Sequence, residues 1–364
     1  MTEQSVPAKD DASAGETVPA QRNGAGTATE SSVAVPASTA GRGRLAAWGS
    51  SVLRLRELSV VIVVIALVLY FQFSNSAFTS SSNIGNIANF ASAAAIVAAG
   101  EVFLLVCGEI DLSAGMTFGL VPFVMMAAND DGVPMLLSVL IALAVAVVIG
   151  LFNGLVNQLL KLPSFITTLG TLYLLHGITL KVSNNFPRPA PQDGTLMHIL
   201  GASKWSEFIW AVGLAVLMQV VLTQTPWGAQ TIATGANMLG ASEAGIRTRL
   251  VKVRAFVIAS TFAGLAGILD GVHISHSFDP NAGGNDLMFE AVAACVIGGT
   301  ALLGGSGTVI GAFFGALLLA VLQDGFNIQG INATTFIVIE GVAILLAMVL
   351  NTQLARLRRG VKEG

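Results

Sequence analysis

The chain has 364 residues, of which 54% are hydrophobic, 11% are charged and 40 are glycine, with a formal net charge of -3. Together with a mean hydropathy of +0.75, this composition argues against a soluble globular domain and is typical of a polytopic helical membrane protein. Cys107 and Cys295 each lie in an apolar run, so a disulfide framework is not indicated.

The first 44 residues differ from the rest of the chain. They are rich in Ala, Ser, Thr, Gly and Pro and carry almost no large apolar side chains, which predicts a disordered cytoplasmic tail over 1–44. The first apolar run begins only near Leu58, behind Arg54 and Arg56. It is therefore interpreted as an uncleaved first span and not as a secretory signal.

Ten apolar runs follow the tail and predict an all-α polytopic membrane protein with about ten transmembrane helices. The runs lie near 58–74, 86–107, 111–128, 135–158, 164–183, 206–223, 254–272, 286–303, 307–324 and 334–351. The transmembrane domain is expected over 45–355, with a short cytoplasmic tail over 356–364. Most runs are long enough for a helix to cross the roughly 30 Å hydrocarbon core.

Basic residues are segregated along the chain. Residues 255–355 contain no lysine or arginine, whereas four basic residues lie between Arg247 and Arg254. Threading ten spans with the amino terminus inside places 15 of the 18 basic residues on the cytoplasmic side. The other three, Lys181, Arg188 and Lys204, fall near one long outer segment, 184–205. Because cytoplasmic loops are enriched in Lys and Arg, both termini are predicted to be cytoplasmic.

Two of the runs are interrupted by glycines, which predicts broken or re-entrant helices. The segments are 106–115 (VCGEIDLSAG) and 296–305 (VIGGTALLGG), at an offset of 190. Helix breaks at membrane depth are stable only where protein or a water-filled cavity satisfies the exposed backbone. The likeness of the two segments favours an internal duplication with broken helices along a path. Chance similarity in sequence rich in Gly, Ala and Leu is the alternative.

A polar loop over about 225–253 follows the sixth span. Small residues from Gly235 to Ile246 would let a short helix press into a groove of a partner protein, with Asn237 capping its start and Gly245 ending it. An ordinary helix on the membrane surface is the alternative. The sequence has no G-x-x-x-x-G-K-[ST] motif, so nucleotide hydrolysis through a P-loop would have to come from another subunit.

Taken together, these segments resemble the membrane permeases of ribose-, xylose- and galactose-type ABC sugar importers. GEIDLSAG at 108–115 is similar to the family element GGIDLSVG, and 150–154 with 161–170 resemble its GxxNG and KxPxFIxTLG run. Residues 235–246 resemble the coupling loop GxNxxAAxxxGI, with Gly240 in place of the first Ala. The similarity extends over nearly the whole chain after the tail.

The resemblance implies uptake of a pentose, hexose or polyol across a bacterial plasma membrane by alternating access. It further implies a second permease copy, identical or paralogous, an ATPase on a separate polypeptide that binds the ATP, and an extracytoplasmic sugar-binding protein. No cofactor, metal or nucleic acid is expected on this chain itself. Two residues of 108–115 depart from the family element. Glu109 replaces a Gly, which adds a carboxylate near Asp111, and Ala114 replaces a Val.

Two sets of candidate site residues follow from these motifs. The candidate coupling residues are Gly235, Asn237, Gly240, Ala241, Glu243, Ala244, Gly245 and Ile246. The candidate translocation-path residues are Glu101, Glu109, Asp111, Ser113, Asn153, Glu290, Gly298 and Gly299.

Structural roles are the alternative for the candidate path residues. A carboxylate facing lipid costs about 2.5 kcal/mol or more, so Glu101 and Asp111 are expected to face the bundle interior. Asp111 could also cap the third helix, and Asn153 could serve as an interhelical hydrogen-bond partner.

Two enzyme-like motifs are weak. The Asp-x-x-His-x-x-His-x-x-Asp segment at 270–279 has metal-ligand residue types, but not a recognised ligand spacing. GGSG at 304–307 resembles the motif of intramembrane serine proteases, which need a later histidine, yet all four histidines precede Ser306.

A proton-coupled secondary transporter is the main alternative function. Such a protein would also have about ten spans, broken helices and buried carboxylates such as Glu101, Asp111 and Glu340. It would not need the loop over 225–253. A channel is disfavoured, because the sequence has no repeated filter segment or ring of charges.

Overall fold

The computed structural model describes residues 56–360. In chain order its helices are α1 (Arg56–Ser74), α2 (Ser81–Val106), α3 (Ala114–Asp130), α4 (Met135–Leu160), α5 (Ser164–Ser183), α6 (Thr195–Met197), α7 (Ser206–Gln224), α8 (Pro226–Ala236), α9 (Met238–Glu243), α10 (Thr248–His273), α11 (Gly284–Ile297), α12 (Val309–Ile328) and α13 (Ala333–Gly360). A π-helical segment, His198–Ala202, continues from α6. Strands β1 (Arg188–Pro189) and β2 (Ser277–Phe278) pair antiparallel. The predicted disordered tail, 1–44, lies outside the described residues.

The described helices form an all-α membrane protein, as predicted. Six of them, α2, α4, α5, α7, α10 and α12, are long and apolar enough to cross a bilayer. Two further apolar stretches, Leu58–Ser74 and Thr334–Leu346, are shorter.

The prediction of about ten crossings is therefore not confirmed. The remaining two predicted spans, 111–128 and 286–303, correspond to α3 with 17 residues and α11 with 14. At 1.5 Å per residue these helices reach only roughly 26 and 21 Å, short of the roughly 30 Å hydrocarbon core. Both are shortened because the chain leaves helical geometry at the two glycine-rich segments, as the sequence predicts.

Helix α2 lies at the centre of the bundle and is buried over most of its length. It packs against α10, where Gly100 lies directly on the backbone of Ala259. Small residues at such a contact allow two helices to approach closely, which is how helices associate in a bilayer without a hydrophobic driving force. The fully buried Phe103, Leu104 and Leu105 fill the end of α2 that leads into the first break.

Long-range contacts gather several loops at one end of the bundle, which we call the ribbon end. Arg188 forms an ion pair with Asp130 at 2.6 Å, and the β1–β2 pairing joins the segments that follow α5 and α10. The ring of His273 lies 2.7 Å from the carbonyl oxygen of Gly201 and 2.9 Å from Oδ1 of Asn89. The predicted outer segment, 184–205, is thus packed onto the ends of α2, α3 and α10.

The start of α12 is capped by a side chain that the sequence analysis did not single out. Oε1 of Gln219 on α7 accepts hydrogen bonds from the amides of Val309 at 2.7 Å and Ile310 at 3.2 Å, and from the hydroxyl of Thr308 at 3.2 Å. The first amides of a helix have no intrahelical acceptor. Gln219 therefore supplies one and ties α7 to the point where the helix resumes after the second break.

Candidate functional site

The two glycine-rich breaks lie side by side at the end of the bundle opposite the ribbon. The first break covers residues 107–113, between α2 and α3, and the second covers 298–308, between α11 and α12. The amide of Gly305 donates a hydrogen bond to the carbonyl oxygen of Val106 at 2.8 Å. The breaks, predicted separately from sequence, are therefore joined by a direct backbone contact.

The end of α8 packs against both breaks through its own backbone. A Cβ on Gly235 would overlap the carbonyl oxygen of Val106 and come within 2.7 Å of the amide nitrogen of Gly305. A side chain at position 235 would therefore displace either α8 or the breaks. We call this three-way backbone contact of Val106, Gly235 and Gly305 the break junction.

A second contact holds α8 against α2. The ring of Trp227, in the first turn of α8, stacks on Phe103 of α2 with ring centroids 4.9 Å apart and an interplanar angle of 24°. Stacked aromatic pairs contribute about 0.5–1.5 kcal/mol beyond their buried area. Helix α8 is thus fixed near its start by Trp227 and at its end by Gly235.

The short helix predicted in the coupling loop is α9, and its predicted caps are confirmed. Oδ1 of Asn237 accepts the amide of Gly240 at 3.0 Å, and Gly245 follows the helix with φ of 86°. Ala241 is buried, whereas Glu243 and Ala244 are exposed and Ile246 is half-buried.

Helix α9 also carries two exposed apolar side chains. Met238 is 53% exposed and Leu239 is 71% exposed. They lie on a polar loop, immediately after the residues that contact the breaks. An apolar surface in this position is typical of a protein interaction site.

The backbone of the first break is satisfied by hydroxyl groups of α5. Oγ of Ser164 accepts the amide of Ile110 at 3.2 Å, and Oγ1 of Thr168 accepts the amide of Leu112 at 3.0 Å. Both hydroxyls belong to the 161–170 segment that carries part of the family resemblance. These contacts explain the hydroxyl residues of that segment, because a broken helix in a bilayer needs protein groups that accept hydrogen bonds from its free amides.

Asp111 is fully buried at the centre of a polar network. One carboxylate oxygen accepts two hydrogen bonds from Ser113, one from the backbone amide at 2.8 Å and one from the side-chain hydroxyl at 2.6 Å. Nδ2 of Asn153 donates to Oγ of Ser113 at 2.8 Å, and Thr171 donates to Oδ1 of Asn153 at 2.6 Å. Asn153 therefore forms the expected interhelical hydrogen bonds, joining the first break to α4 and α5.

Asp111 does not cap the third helix, which was one of the roles that the sequence left open. The N-cap residue of α3 is Ser113, and the helix begins at Ala114. The carboxylate of Asp111 instead closes a turn onto the amide two residues later, as Asp side chains often do outside helices. Asp111 thus stabilises the break itself.

The other candidate path residues are spread over several helices. Glu101 is fully buried on α2, as expected, and neither carboxylate oxygen has a hydrogen-bond donor among the described residues. Glu290 is half-buried on α11. Gly298 packs against Gly311, and Gly299 has φ of 92°.

Glu109 has a partner that the sequence analysis missed. Its Oε1 lies 2.6 Å from Nζ of Lys252, and the two side chains are only 10% and 11% exposed. Lys252 belongs to the basic cluster of 247–254, which the sequence analysis used only for topology. The carboxylate that replaces a family glycine therefore has a counter-charge from the start of α10, and the pair connects the first break to the coupling loop.

The residues of the 270–279 motif do not converge on one point. His273 contacts Gly201 and Asn89, Nδ1 of His276 lies 3.0 Å from the carbonyl oxygen of Val272, and Asp279 accepts the amide of Asn281. Across residues 56–360, no group of three His, Cys, Asp or Glu side chains could hold a metal ion.

Paired helix breaks inside an all-α membrane bundle are typical of membrane transport proteins. Residues 83–348 match the family described as the permease component of branched-chain amino acid transport systems. The chain belongs to this family. No solved structure matches it.

Named relatives specify the class of permease. The chain is 38% identical over 311 residues to the xylose/arabinose import permease protein XylH of Sulfolobus acidocaldarius, covering 83% of this chain and 86% of that protein. It is 31% identical over 314 residues to the autoinducer 2 import system permease protein LsrC of Photorhabdus laumondii, covering 85% and 92%. LsrC of Salmonella typhi is 32% identical over 305 residues, covering 82% and 86%. The predicted resemblance to permeases of ABC sugar importers is thereby confirmed.

The ion pair between Glu109 and Lys252 predicts non-additive effects of mutation. Glu109→Gln or Lys252→Met alone leaves a poorly solvated charge without its partner, so each should lower the free energy of unfolding. The double variant leaves no unpaired charge and should lose less than the sum, with a coupling energy of about 0.5–3 kcal/mol. Denaturant unfolding of the four proteins in detergent measures this energy.

Glu243→Gln and Arg249→Met provide the matched control, because both side chains are exposed on the same loop. Their effects should be small and additive. Additive losses for Glu109 and Lys252 as well would contradict the assigned pair.

Proposed function

We propose that this permease imports a monosaccharide or polyol and is driven by a separate ATPase subunit that docks on α9. The proposal rests on the arrangement of the coupling loop, which has one exposed surface and one surface packed against the breaks. One side exposes Met238 and Leu239, and the other side places Gly235 against Val106 and Gly305. A partner bound to α9 would therefore act on both helix breaks through a single rigid connection.

The geometry supports a stepwise account of energy coupling. Movement of the ATPase displaces α9, and the Asn237 cap passes the displacement to α8. Because α8 contacts the breaks backbone to backbone, it cannot move without shifting Val106 or Gly305. Packed cores change between discrete arrangements and do not deform continuously. The breaks then open the bundle alternately to each side, which is alternating access.

The relatives and the polar network support the class of substrate. Two relatives are named for the import of xylose and arabinose or of autoinducer 2. Polyhydroxylated solutes exchange hydrogen bonds readily with carboxylate, amide and hydroxyl groups. We propose that the network of Asp111, Ser113 and Asn153 borders the path when the breaks open, with Glu101, Glu109, Glu290, Gly298 and Gly299 as the further path candidates.

The distribution of charge supports an orientation in the bacterial plasma membrane. Lys161 and the cluster of 247–254 lie at the end of the break junction, whereas Lys181, Arg188 and Lys204 lie towards the ribbon end. The positive-inside rule assigns the break junction and both termini to the cytoplasm. The ribbon end would then face an extracytoplasmic sugar-binding protein. A second permease copy, identical or paralogous, completes the proposed importer, and ATP is bound by the ATPase alone.

Energy source distinguishes this proposal from a proton-coupled transporter that uses Glu101. Solute uptake should be lost when the partner ATPase is absent. It should persist when an uncoupler collapses the proton gradient while internal ATP is maintained. Uptake in proteoliposomes with and without the ATPase measures both conditions. Uptake by the permease alone, or its collapse together with the gradient, would favour the proton-coupled alternative.

Truncation of the exposed leucine on α9 tests the docking surface. Leu239→Ala should weaken binding of the ATPase about thirty-fold, as expected for an interface residue whose truncation costs about 2 kcal/mol. Binding of the purified subunits in detergent measures the effect. Leu159→Ala is the matched control, because Leu159 is 67% exposed on α4 and lies outside the coupling loop. Equal binding by both variants would exclude Leu239 from the interface.

A further inference from the structure

A large cavity at the ribbon end has no part in the proposed transport path. Its volume is about 690 Å³, within the range of about 300–1,000 Å³ found for small-molecule sites. The segment before α7 contributes His198, Ser203 and Lys204, and the exposed side of α7 contributes Ile209, Gly213 and Leu217. The cavity thus extends along the first three turns of α7.

The polarity of the lining changes along the cavity. The polar side chains of Lys204 and His198 lie at the end of the cavity that precedes α7, which we call its mouth. From Ser206 to Leu217 the wall is lined mainly by apolar side chains over roughly 17 Å of helix, which is about the depth of one leaflet. A ligand that fits this gradient has an anionic head and an apolar chain.

Two contacts hold the mouth in place. Nε1 of Trp210 donates to the carbonyl oxygen of Ile199 at 2.9 Å, which fixes the π-helical segment to α7. Nζ of Lys204 lies 5.7 Å from the centroid of the Trp205 ring, within range of a cation–π interaction. Tryptophan and lysine side chains are also the common anchors at a membrane interface. The mouth is therefore fixed by contacts within the chain and carries residue types that are common at a membrane interface.

We propose that this cavity binds one phospholipid with an anionic head group. The phosphate lies at Lys204, and one acyl chain follows Ile209, Gly213 and Leu217. The same helix carries Gln219, which caps α12 beyond the second break. A lipid packed on α7 would thus stabilise the helix that holds the second break, a property distinct from substrate transport.

The test uses the purified full-length chain in detergent, with native mass spectrometry to count bound lipids and thermal unfolding to measure stabilisation. The probes are phosphatidylglycerol, phosphatidylcholine and inorganic phosphate. Gly213→Phe introduces a ring on the cavity wall, at a position where a Cβ meets no atom within 4 Å. Lys204→Gln removes the cation. Gly177→Phe, which is equally open, and Lys181→Gln are the controls on α5.

The wild-type chain should retain one phosphatidylglycerol in preference to phosphatidylcholine and should not be stabilised by inorganic phosphate. Lys204→Gln should weaken phosphatidylglycerol binding about five-fold, and Gly213→Phe should abolish the adduct, whereas both controls behave as wild type. Unchanged lipid binding in Gly213→Phe would overturn the proposal. The proposal would also be overturned if the wild-type chain were a dimer and Gly213→Phe were a monomer that retained its lipid. A second copy of the chain would then be the occupant of the cavity.

Discussion

The backbone contact of Gly235 with Val106 and Gly305 is the constraint on which the rest of the described structure depends. It requires α2 to stop at Val106, the second break to turn back beside it, and α8 to carry no side chain at position 235. Three segments far apart in the chain therefore meet at one point. That point connects the exposed surface of α9 to both interrupted helices, which is the connection that the proposed energy coupling requires.

Such a junction requires polar support, because a helix break exposes backbone groups that a bilayer cannot hydrogen-bond. Each unsatisfied group would cost several kcal/mol. The hydroxyls of Ser164 and Thr168, the carboxylate of Asp111 and the amide oxygen of Gln219 provide partners on either side of the junction. These side chains satisfy the backbone locally, which lets the two breaks persist inside an apolar bundle.

Local sequence patterns predicted local structure well. The glycine-rich breaks, the Asn237 cap, the Gly245 terminus and the burial of Glu101 follow from residue type and spacing. Pairings across the chain did not follow, since Glu109 meets Lys252 and Gln219 caps α12 over separations of 143 and 90 residues. The alternative role of Asp111 as a helix cap was not borne out, because its carboxylate closes a turn onto the amide of Ser113 before the helix begins at Ala114. The prediction of about ten crossings is not confirmed, because the apolar runs extend through a break that precedes α3 and a break that follows α11, and both helices are short.

The most direct test of the junction is uptake by Gly235→Ala, measured in proteoliposomes together with binding of the ATPase. The added methyl group should separate α8 from Val106, so uptake is lost while the ATPase still binds α9. Gly177→Ala on α5 is the control, because no atom lies within 4 Å of a Cβ at this position, and it should leave uptake intact. Normal uptake by correctly inserted Gly235→Ala protein would contradict the proposed connection between the coupling loop and the breaks.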